Sequence, residues 1–395
     1  MHNALTTQRI LSIDALRGIT ILVMIFVNEL AGVQGIPAWM KHMPANADAM
    51  TFVDVVFPAF LFIVGMSIPF AINNRITKGD NLLQVQFHIL FRTLGLLVLG
   101  VFMVNAEGGY NEQAMSMPIA LWSLVFYAGV ILIWNVYTFS SKTIVYILRA
   151  AGIVLLLILA WLYRGGEDGT QTLTPQWWGI LGLIGWAYLA SCILYQLFRG
   201  NLIGIVIAIA ACVTVYGAGK SSAEQGEANW LSGLGGHATH TCLALCGMAV
   251  SLVFFDQKRK LDLTKRFIVA VVFAAVLFGA GYILRPFYTI SKIYATPTWA
   301  LYSAGICTLI FVFLYRLIDL QKVSGWTSFF QPAASNPLLT YIIPFIIYAA
   351  MKLVHVSWPA IFYQGAAGIL WSAIYAVLVM TAVIGLNKLK IRLQL

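Results

Sequence analysis

The chain has 395 residues, of which 61% are hydrophobic and only 10% are charged. A soluble domain is about half apolar and about a quarter charged, so this composition excludes a soluble enzyme and a disordered protein. The five cysteines all lie inside apolar segments, which excludes a disulfide scaffold. The net charge of +10 is spread over short loops rather than gathered in one patch, so no nucleic-acid partner is expected.

Long apolar runs recur along the whole chain. A bilayer core of about 30 Å is crossed by about 20 apolar residues in a helix. The sequence therefore predicts an all-α, polytopic integral membrane bundle forming a single transmembrane domain over residues 1–395, with its core motifs in 9–70 and an additional helical hairpin at 178–218. We expect ten to twelve spans, placed near residues 15–34, 52–73, 88–105, 117–136, 144–162, 178–197, 202–218, 237–255, 268–284, 299–317, 337–354 and 366–387.

The basic residues fall unevenly on the two sides of this predicted bundle. Sixteen of the 24 lysines and arginines lie in loops or helix ends on the side of the N-terminus. The opposite loops carry Lys41, Arg164, Lys220, Arg285 and Lys292. Because positive loops are retained in the cytoplasm, the bias predicts that both termini are cytoplasmic. The first apolar run has no convincing cleavage site, so we expect it to be an uncleaved span.

The densest set of intramembrane polar residues comes early. The first span opens with Asp14 and Arg17 and ends at Asn28, and the second begins around Asp54. Charged groups at membrane depth are costly and indicate functional sites. The loop between the spans holds His42, twelve residues before Asp54, so the chain can fold back and let the carboxylate orient the imidazole. Such a pair is a competent general base, although a solvated loop histidine is the simpler interpretation of His42.

Several short strings in combination resemble one known family. The string R-I-L-S-I-D-A-L-R-G at Arg9–Gly18 is followed by Val27-Asn28, Trp39–His42 and Val53–Ser67. Thinner similarities lie at Gly233–Gly247, Trp299–Ser303 and Ser335–Pro337. Together these strings resemble the heparan-α-glucosaminide N-acetyltransferase family of transmembrane acyltransferases, which has bacterial members.

The resemblance implies an acetyl-CoA-dependent N-acetyltransferase. That family moves an acetyl group from cytosolic acetyl-CoA to the amine of a terminal glucosamine on the far side of the membrane. Its active-site histidine falls on His42, its asparagine on Asn28, and the aspartate of its Asp-x-Val-Phe-Pro string on Asp54. The resemblance also implies a multi-pass protein of the bacterial inner membrane, in contact with lipids, which forms a homodimer. No metal is expected.

This sequence departs from the family's pattern at four places. The loop between Asn28 and His42 is slightly longer, and a Gln-Arg pair expected in the span after Met117-Pro118 reads Trp122-Ser123. The usual Trp-Asn-Gly after the histidine is replaced by Met43–Asp48, and spans six and seven form an additional hairpin. These changes leave the acetyl-transfer machinery plausible but leave the acceptor open. An amino sugar fits the family, and O-acetylation of a glycan hydroxyl is chemically close. Direct transfer and an acetyl-histidine intermediate are also both open.

Polar residues on the cytoplasmic side are candidates for binding coenzyme A. A guanidinium matches the geometry of phosphate oxygens, which favours Arg17 and Arg92, and the resemblance adds Asp14 and Asn336. For Arg92, snorkelling to the membrane interface is the alternative interpretation.

Candidates for contact with the acceptor lie on the opposite side. Trp39 and Lys41 directly precede the loop histidine, and Trp299 opens the tenth span. His237 and His240 share one helix face where the eighth span begins. These histidines either form hydrogen bonds at the start of the helix or line the acceptor pocket, and both alternatives are open. A metal site is disfavoured, because the two histidines would lack the further ligands that zinc takes.

Two classes of function fit this pattern. The first is the membrane acetyltransferase described above. The second is a secondary transporter, which twelve spans with both termini inside would also suit. Transporters repeat their broken helices and polar sites in both halves, whereas here the polar residues crowd into the first two spans.

Overall fold

The computed structural model describes residues 9–224 and 230–395. The secondary structure of this part of the chain consists of helices joined by turns and loops, with a few isolated β-bridges. Within these ranges ten helices are long and apolar enough to cross a membrane, and two further apolar helices, Ile119–Trp134 and Pro337–Leu353, are shorter. The prediction of an all-α polytopic membrane protein is confirmed. The helices are α1 (Leu11–Leu30), α2 (Val56–Thr77), α3 (Leu82–Glu107), α4 (Ile119–Trp134), α5 (Lys142–Leu162), α6 (Gly179–Leu197), α7 (Leu202–Glu224), α8 (Trp230–Phe255), α9 (Leu263–Leu284), α10 (Pro297–Leu314), α11 (Pro337–Leu353) and α12 (Gly365–Lys388).

Several helix ends differ from the predicted spans by four to seven residues, among them the end of α1 and the start of α8. Helix α1 ends at Leu30 rather than at residue 34, because the segment that follows contains Gly35 with a φ of 69° and then a proline. Helix α8 begins at Trp230, about two turns before His237. Its first turns pack against α7, where a Cβ on Gly235 would lie 3.3 Å from the Tyr216 ring.

The described residues form two compact units. The first takes the described residues of 1–20, 37–93 and 183–328, and the second takes 21–36, 94–182 and 329–395. Helix α8 is the centre of the first unit, since 94% of its apolar stretch is buried, and helices α2, α7, α9 and α10 pack around it. A helix that is buried on every side has no surface for charged side chains, and α8 accordingly contains no Asp, Glu, Lys or Arg.

Helices α2 and α8 approach each other until their backbones touch. A Cβ added to Gly65 would meet the Ala244 carbonyl oxygen at 1.7 Å, and one added to Gly247 would meet the Phe62 carbonyl oxygen at 1.9 Å. Only glycine leaves room for so close an approach. This glycine contact fixes α2, and with it the turn that precedes α2, against the central helix of the first unit.

The second unit contains α4, α5, α11 and α12, together with the C-terminal parts of α1 and α3. Its interior holds a stack of Phe102, Trp122 and Phe126, with neighbouring ring centroids 5.0 to 6.1 Å apart. Helix α5 lies at the surface of this unit, since only 17% of its apolar stretch is buried. Its exposed side chains include Leu157 and Trp161. Such a surface is stable when lipid covers it.

Candidate functional site

Asp54 is built into the turn that starts the second span. Thr51 caps the 3₁₀ helix Phe52–Val55: its hydroxyl oxygen accepts a hydrogen bond from Val53 N at 3.2 Å, and its own N–H donates to Asp54 Oδ2 at 3.0 Å. This reciprocal arrangement is a capping box. The Met43 N–H also donates to Asp54 Oδ2, at 3.3 Å. The carboxylate is 2% exposed and is held by backbone amides on one oxygen.

The other oxygen of Asp54 holds His42. The distance from His42 Nδ1 to Asp54 Oδ1 is 2.7 Å. A carboxylate can only accept, so the imidazole carries its proton on Nδ1 and presents the lone pair of Nε2 outward. The imidazole is 39% exposed. The contact predicted between these two residues is therefore present, and Asp54 serves at once as a helix cap and as the group that orients His42.

Helix α10 supports this pair from behind. The Trp299 indole N–H donates to the backbone carbonyl oxygen of Asp54 at 3.0 Å. Trp299 is fully buried, and His240 packs edge-on against its ring with centroids 6.2 Å apart. His240 is itself 5% exposed. These two residues, predicted to contact the acceptor, lie beneath the His42–Asp54 pair as buried supports.

A second loop of the first unit closes over His42. Thr296 caps α10, and its hydroxyl oxygen accepts from Ser291 N at 3.0 Å, so the segment just before α10 is folded tightly. The same loop is tied to the histidine loop by Arg285, whose Nε lies 3.1 Å from Asp48 Oδ2, and by Ile290 N, which donates to Asp48 Oδ1 at 2.8 Å. The two loops are therefore fixed to each other.

This closure brings Lys292 onto the imidazole. Its Nζ lies 3.1 Å from His42 Nε2 and 3.3 Å from Nδ1. Burial lowers the pKa of Lys292 below its ordinary value, while the charge of Asp54 acts in the opposite direction. Sequence reasoning counted Lys292 only as a loop charge and missed this contact across 250 positions. The available signal in the sequence was that Lys292 is one of the few basic residues in the loops on the predicted non-cytoplasmic side.

Three predicted acceptor residues lie near this centre with looser contacts. Trp39 is 60% exposed and packs on Phe52, with ring centroids 6.0 Å apart. The backbone carbonyl of Lys41 accepts the Thr51 hydroxyl at 2.9 Å. His237 is half-buried and lies edge-on to Trp186 at 6.0 Å. Because α8 begins at Trp230, His237 and His240 lie inside the helix rather than at its start.

The cationic candidates for the cofactor lie elsewhere in the first unit. Arg17 donates to Asp14 Oδ1 at 3.1 Å and to Ser67 Oγ at 3.0 Å, and Arg9 Nε lies 2.6 Å from Asp14 Oδ2. Asp14 thus pairs with both arginines. Arg92 lies over the ring of Tyr188, with its Cζ 4.7 Å from the centroid. A stacked guanidinium keeps its edge donors available.

Two predicted site residues belong to the second unit. Asn28 is exposed near the end of α1. Asn336 is fully buried, and its amide makes three hydrogen bonds: Nδ2 donates to Asn387 Oδ1 at 2.8 Å and to the Ile391 carbonyl oxygen at 3.0 Å, and Oδ1 accepts from Leu393 N at 3.0 Å. Through these bonds Asn336 holds the C-terminal segment in place. Its predicted contact with coenzyme A stays a prediction.

The second unit also contains a cavity that sequence reasoning missed. It has a volume of about 170 Å³ and is lined by polar side chains of Glu107, Ser123, Tyr127, Tyr348 and Lys352. Since a water molecule takes about 30 Å³ in the liquid, this space suits a few waters or a very small molecule. No local motif marks it, because its residues come from three separate helices, α3, α4 and α11.

Comparison with known proteins gives one family match and two partial relatives. Over 97 residues the chain is 33% identical to the heparan-alpha-glucosaminide N-acetyltransferase of Homo sapiens, which is 25% of this chain and 14% of that protein. The Mus musculus protein of the same name is 32% identical over 100 residues, again 25% of this chain and 14% of the relative. The chain is thus similar to a small part of these relatives.

The family match is much longer. Residues 9–235 match the family described as "Domain of unknown function (DUF5009)". This range includes His42 and Asp54 and ends within the first turns of α8. Because it covers more than half of the 395 residues, the chain belongs to the DUF5009 family.

Proposed function

We propose that this protein is a transmembrane acetyltransferase of the bacterial inner membrane. It moves an acetyl group from cytosolic acetyl-CoA to the amine of a glucosamine-type sugar on the opposite, periplasmic side. The observation that carries the proposal is the His42–Asp54 pair, in which a buried, amide-held carboxylate accepts from Nδ1 at 2.7 Å and leaves Nε2 available as a base. The partial similarity to an acetyltransferase supports the same reaction.

His42 acts as the general base in this proposal. Its Nε2 takes a proton from the incoming amine as the amine attacks the carbonyl carbon of the thioester. Asp54 keeps the other ring proton on Nδ1 and stabilises the imidazolium that forms. For Asn28, the family resemblance alone implies an amide hydrogen bond to the thioester carbonyl or the developing oxyanion. Coenzyme A leaves as its thiol.

The cofactor is assigned to the positively charged residues on the cytoplasmic side. Arg17 and Arg92 bind the phosphates of coenzyme A, and Asp14 positions Arg17 through their contact at 3.1 Å. Asn336 is the further cofactor residue that the family resemblance implies. Fixed cations rather than the histidine should therefore dominate the affinity for coenzyme A.

The surroundings of His42 favour an amine as the acceptor. Lys292 places a primary amine 3.1 Å from Nε2, so an amino group fits beside the imidazole with the Asp54 charge close by. Trp39 and Lys41 offer an exposed aromatic face and a cation at the edge of the same loop, and a sugar ring can stack on the aromatic face. His237 is the outer histidine of the pair on α8 and is assigned to the same acceptor region, with His240 and Trp299 beneath it.

The experiment is an acceptor panel with detergent-solubilised protein. Acetyl-CoA is incubated with glucosamine, other amino sugars and their N-acetylated or hydroxyl counterparts, and the release of free thiol is measured. We expect release with the free amines, loss of it in His42→Ala, and retention in the control His355→Asn, which changes an exposed histidine of another loop. Release with hydroxyl acceptors alone would indicate O-acetylation. Failure to bind acetyl-CoA would favour a transporter and contradict the proposal.

A further inference from the structure

The contact between Lys292 and His42 joins a primary amine to a general base. Nζ lies 3.1 Å from Nε2 and 3.3 Å from Nδ1, and Nε2 is the ring nitrogen that the hydrogen bond from Nδ1 to Asp54 leaves with a lone pair. The contact is built into the fold, because the loop that carries Lys292 is fastened by Asp48 at one end and by the Thr296 cap at the other. Lys292 is therefore held at the base rather than reaching it by chance.

This position is chemically equivalent to that of the acceptor. In the proposed reaction, the amine that is acetylated must place its nitrogen within hydrogen-bond reach of His42 Nε2. Lys292 already does so, with the same functional group that an amino sugar would present. An amine acceptor and Lys292 must then compete for Nε2.

We propose that Lys292 is itself acetylated by the acyl donor when no amine acceptor occupies the site. This inference rests on the proposed acetyl-CoA chemistry and adds a modification site to it. His42 Nε2 takes one proton from the Lys292 ammonium, and the neutral amine attacks the thioester carbonyl carbon. The C–N bond forms, the C–S bond breaks, the leaving thiolate takes the second proton from the nitrogen, and His42 releases its proton to solvent.

Acetylated Lys292 does not react further. An amide is a far poorer acyl donor than a thioester, so the acetyl group stays on Lys292 and is not passed to a later acceptor. Acetylation also removes the positive charge beside His42 and leaves a bulkier group against Nε2. We therefore expect the protein to lose activity slowly in acetyl-CoA alone and to be protected by an amino-sugar acceptor. The lowered pKa of Lys292, caused by burial, increases the share of neutral amine and supports this reactivity.

The test uses the full chain in detergent with isotopically labelled acetyl-CoA and no acceptor. Chymotryptic peptides are analysed by mass spectrometry for label on Lys292 and on the control Lys220, whose Nζ contacts the Phe287 carbonyl oxygen at 3.1 Å instead of an imidazole. We expect at least tenfold more label on Lys292. Label should fall to the Lys220 level in His42→Ala and when glucosamine is added.

Three results would overturn the inference: no label on Lys292, equal label on the two lysines, or unchanged label in His42→Ala. Because His42→Ala can also disturb the loop, His42→Asn is measured beside it, with melting temperatures for both variants. Thiol release with glucosamine is recorded on the same sample. Turnover without label on Lys292 rejects self-acetylation and leaves the proposed function standing, whereas absence of both rejects the two together.

Discussion

The indole of Trp299 donates its N–H to the backbone carbonyl oxygen of Asp54 at 3.0 Å, across 245 positions of the chain. The indole is buried, and the Asp54 carboxylate in turn holds His42 at 2.7 Å. The orientation of the imidazole therefore depends on α10 as well as on the loop that carries it. This relationship makes Trp299 a positioning residue for the His42–Asp54 pair.

Trp299→Phe keeps an aromatic ring but removes the N–H. We expect a loss of about 1–3 kcal/mol in the free energy of unfolding, because a buried carbonyl oxygen is left without a donor. Turnover should fall several-fold with little change in KM for acetyl-CoA. The measurements are the melting temperature and kcat in detergent, with Trp161→Phe on exposed α5 as the matched control. If the two variants behave alike, the hydrogen bond has no positioning role.

His42 and Asp54 should act as a unit in turnover but differ in stability. A general base contributes about 10²–10⁴-fold to rate, so His42→Ala should lose that factor. Asp54→Asn should lose turnover as well, because the amide no longer enforces the tautomer, and the double variant should be little worse than His42→Ala. Only Asp54→Asn should also lower the melting temperature, since Asp54 caps the turn before α2. Full activity in His42→Ala would end this mechanism.

Coenzyme A binding should depend on the arginines more than on the histidine. Arg17→Ala and Arg92→Ala are expected to weaken acetyl-CoA binding about tenfold or more, because phosphates need fixed positive charge and charge-assisted hydrogen bonds contribute about 1.5–3 kcal/mol. Lys142→Ala, at the exposed start of α5, is the control. Binding is measured by calorimetry or by retention of labelled ligand. Binding that survives both arginine changes and vanishes with His42→Ala would contradict this placement of the cofactor.

The histidine loop should face away from the cytoplasm. A cysteine introduced as Asn46→Cys should react with an impermeant reagent in intact cells, whereas Lys78→Cys should react only after lysis. Both positions are exposed, and all five native cysteines are buried, which keeps the background low. The opposite pattern of labelling would reverse the predicted topology.

Lys292 should make stability depend on pH. Because burial lowers its pKa below 10.5, the unfolded chain binds more protons than the folded one between the two pKa values, and stability rises with pH across that interval. We expect Lys292→Met to melt at a higher temperature than the parent near neutral pH. The difference should shrink as the pH rises past 10.5, because well above that value the parent lysine is neutral in both states. A difference that grows with pH would have the wrong sign.

The helical membrane fold and one contact of the candidate site could be predicted from the sequence. Apolar length alone located the twelve long helices of the described residues, because a membrane span needs a minimum run of apolar residues. The short loop between the first two spans predicted the contact of His42 with Asp54. The support from Trp299 and the contact with Lys292 could not be predicted. Both join residues about 250 positions apart, and no local pattern records which loops meet at the end of a bundle.

The glycine contact between α2 and α8 limits how this protein can move. With backbone against backbone at Gly65 and Gly247, neither helix can slide along the other without collision of main-chain atoms. The two helices therefore cannot shear past each other. In any rearrangement of the first unit, α2 and α8 move together as one rigid body. Movement near His42 must then come from the two loops that carry His42 and Lys292, which the contact between Asp48 and Arg285 joins.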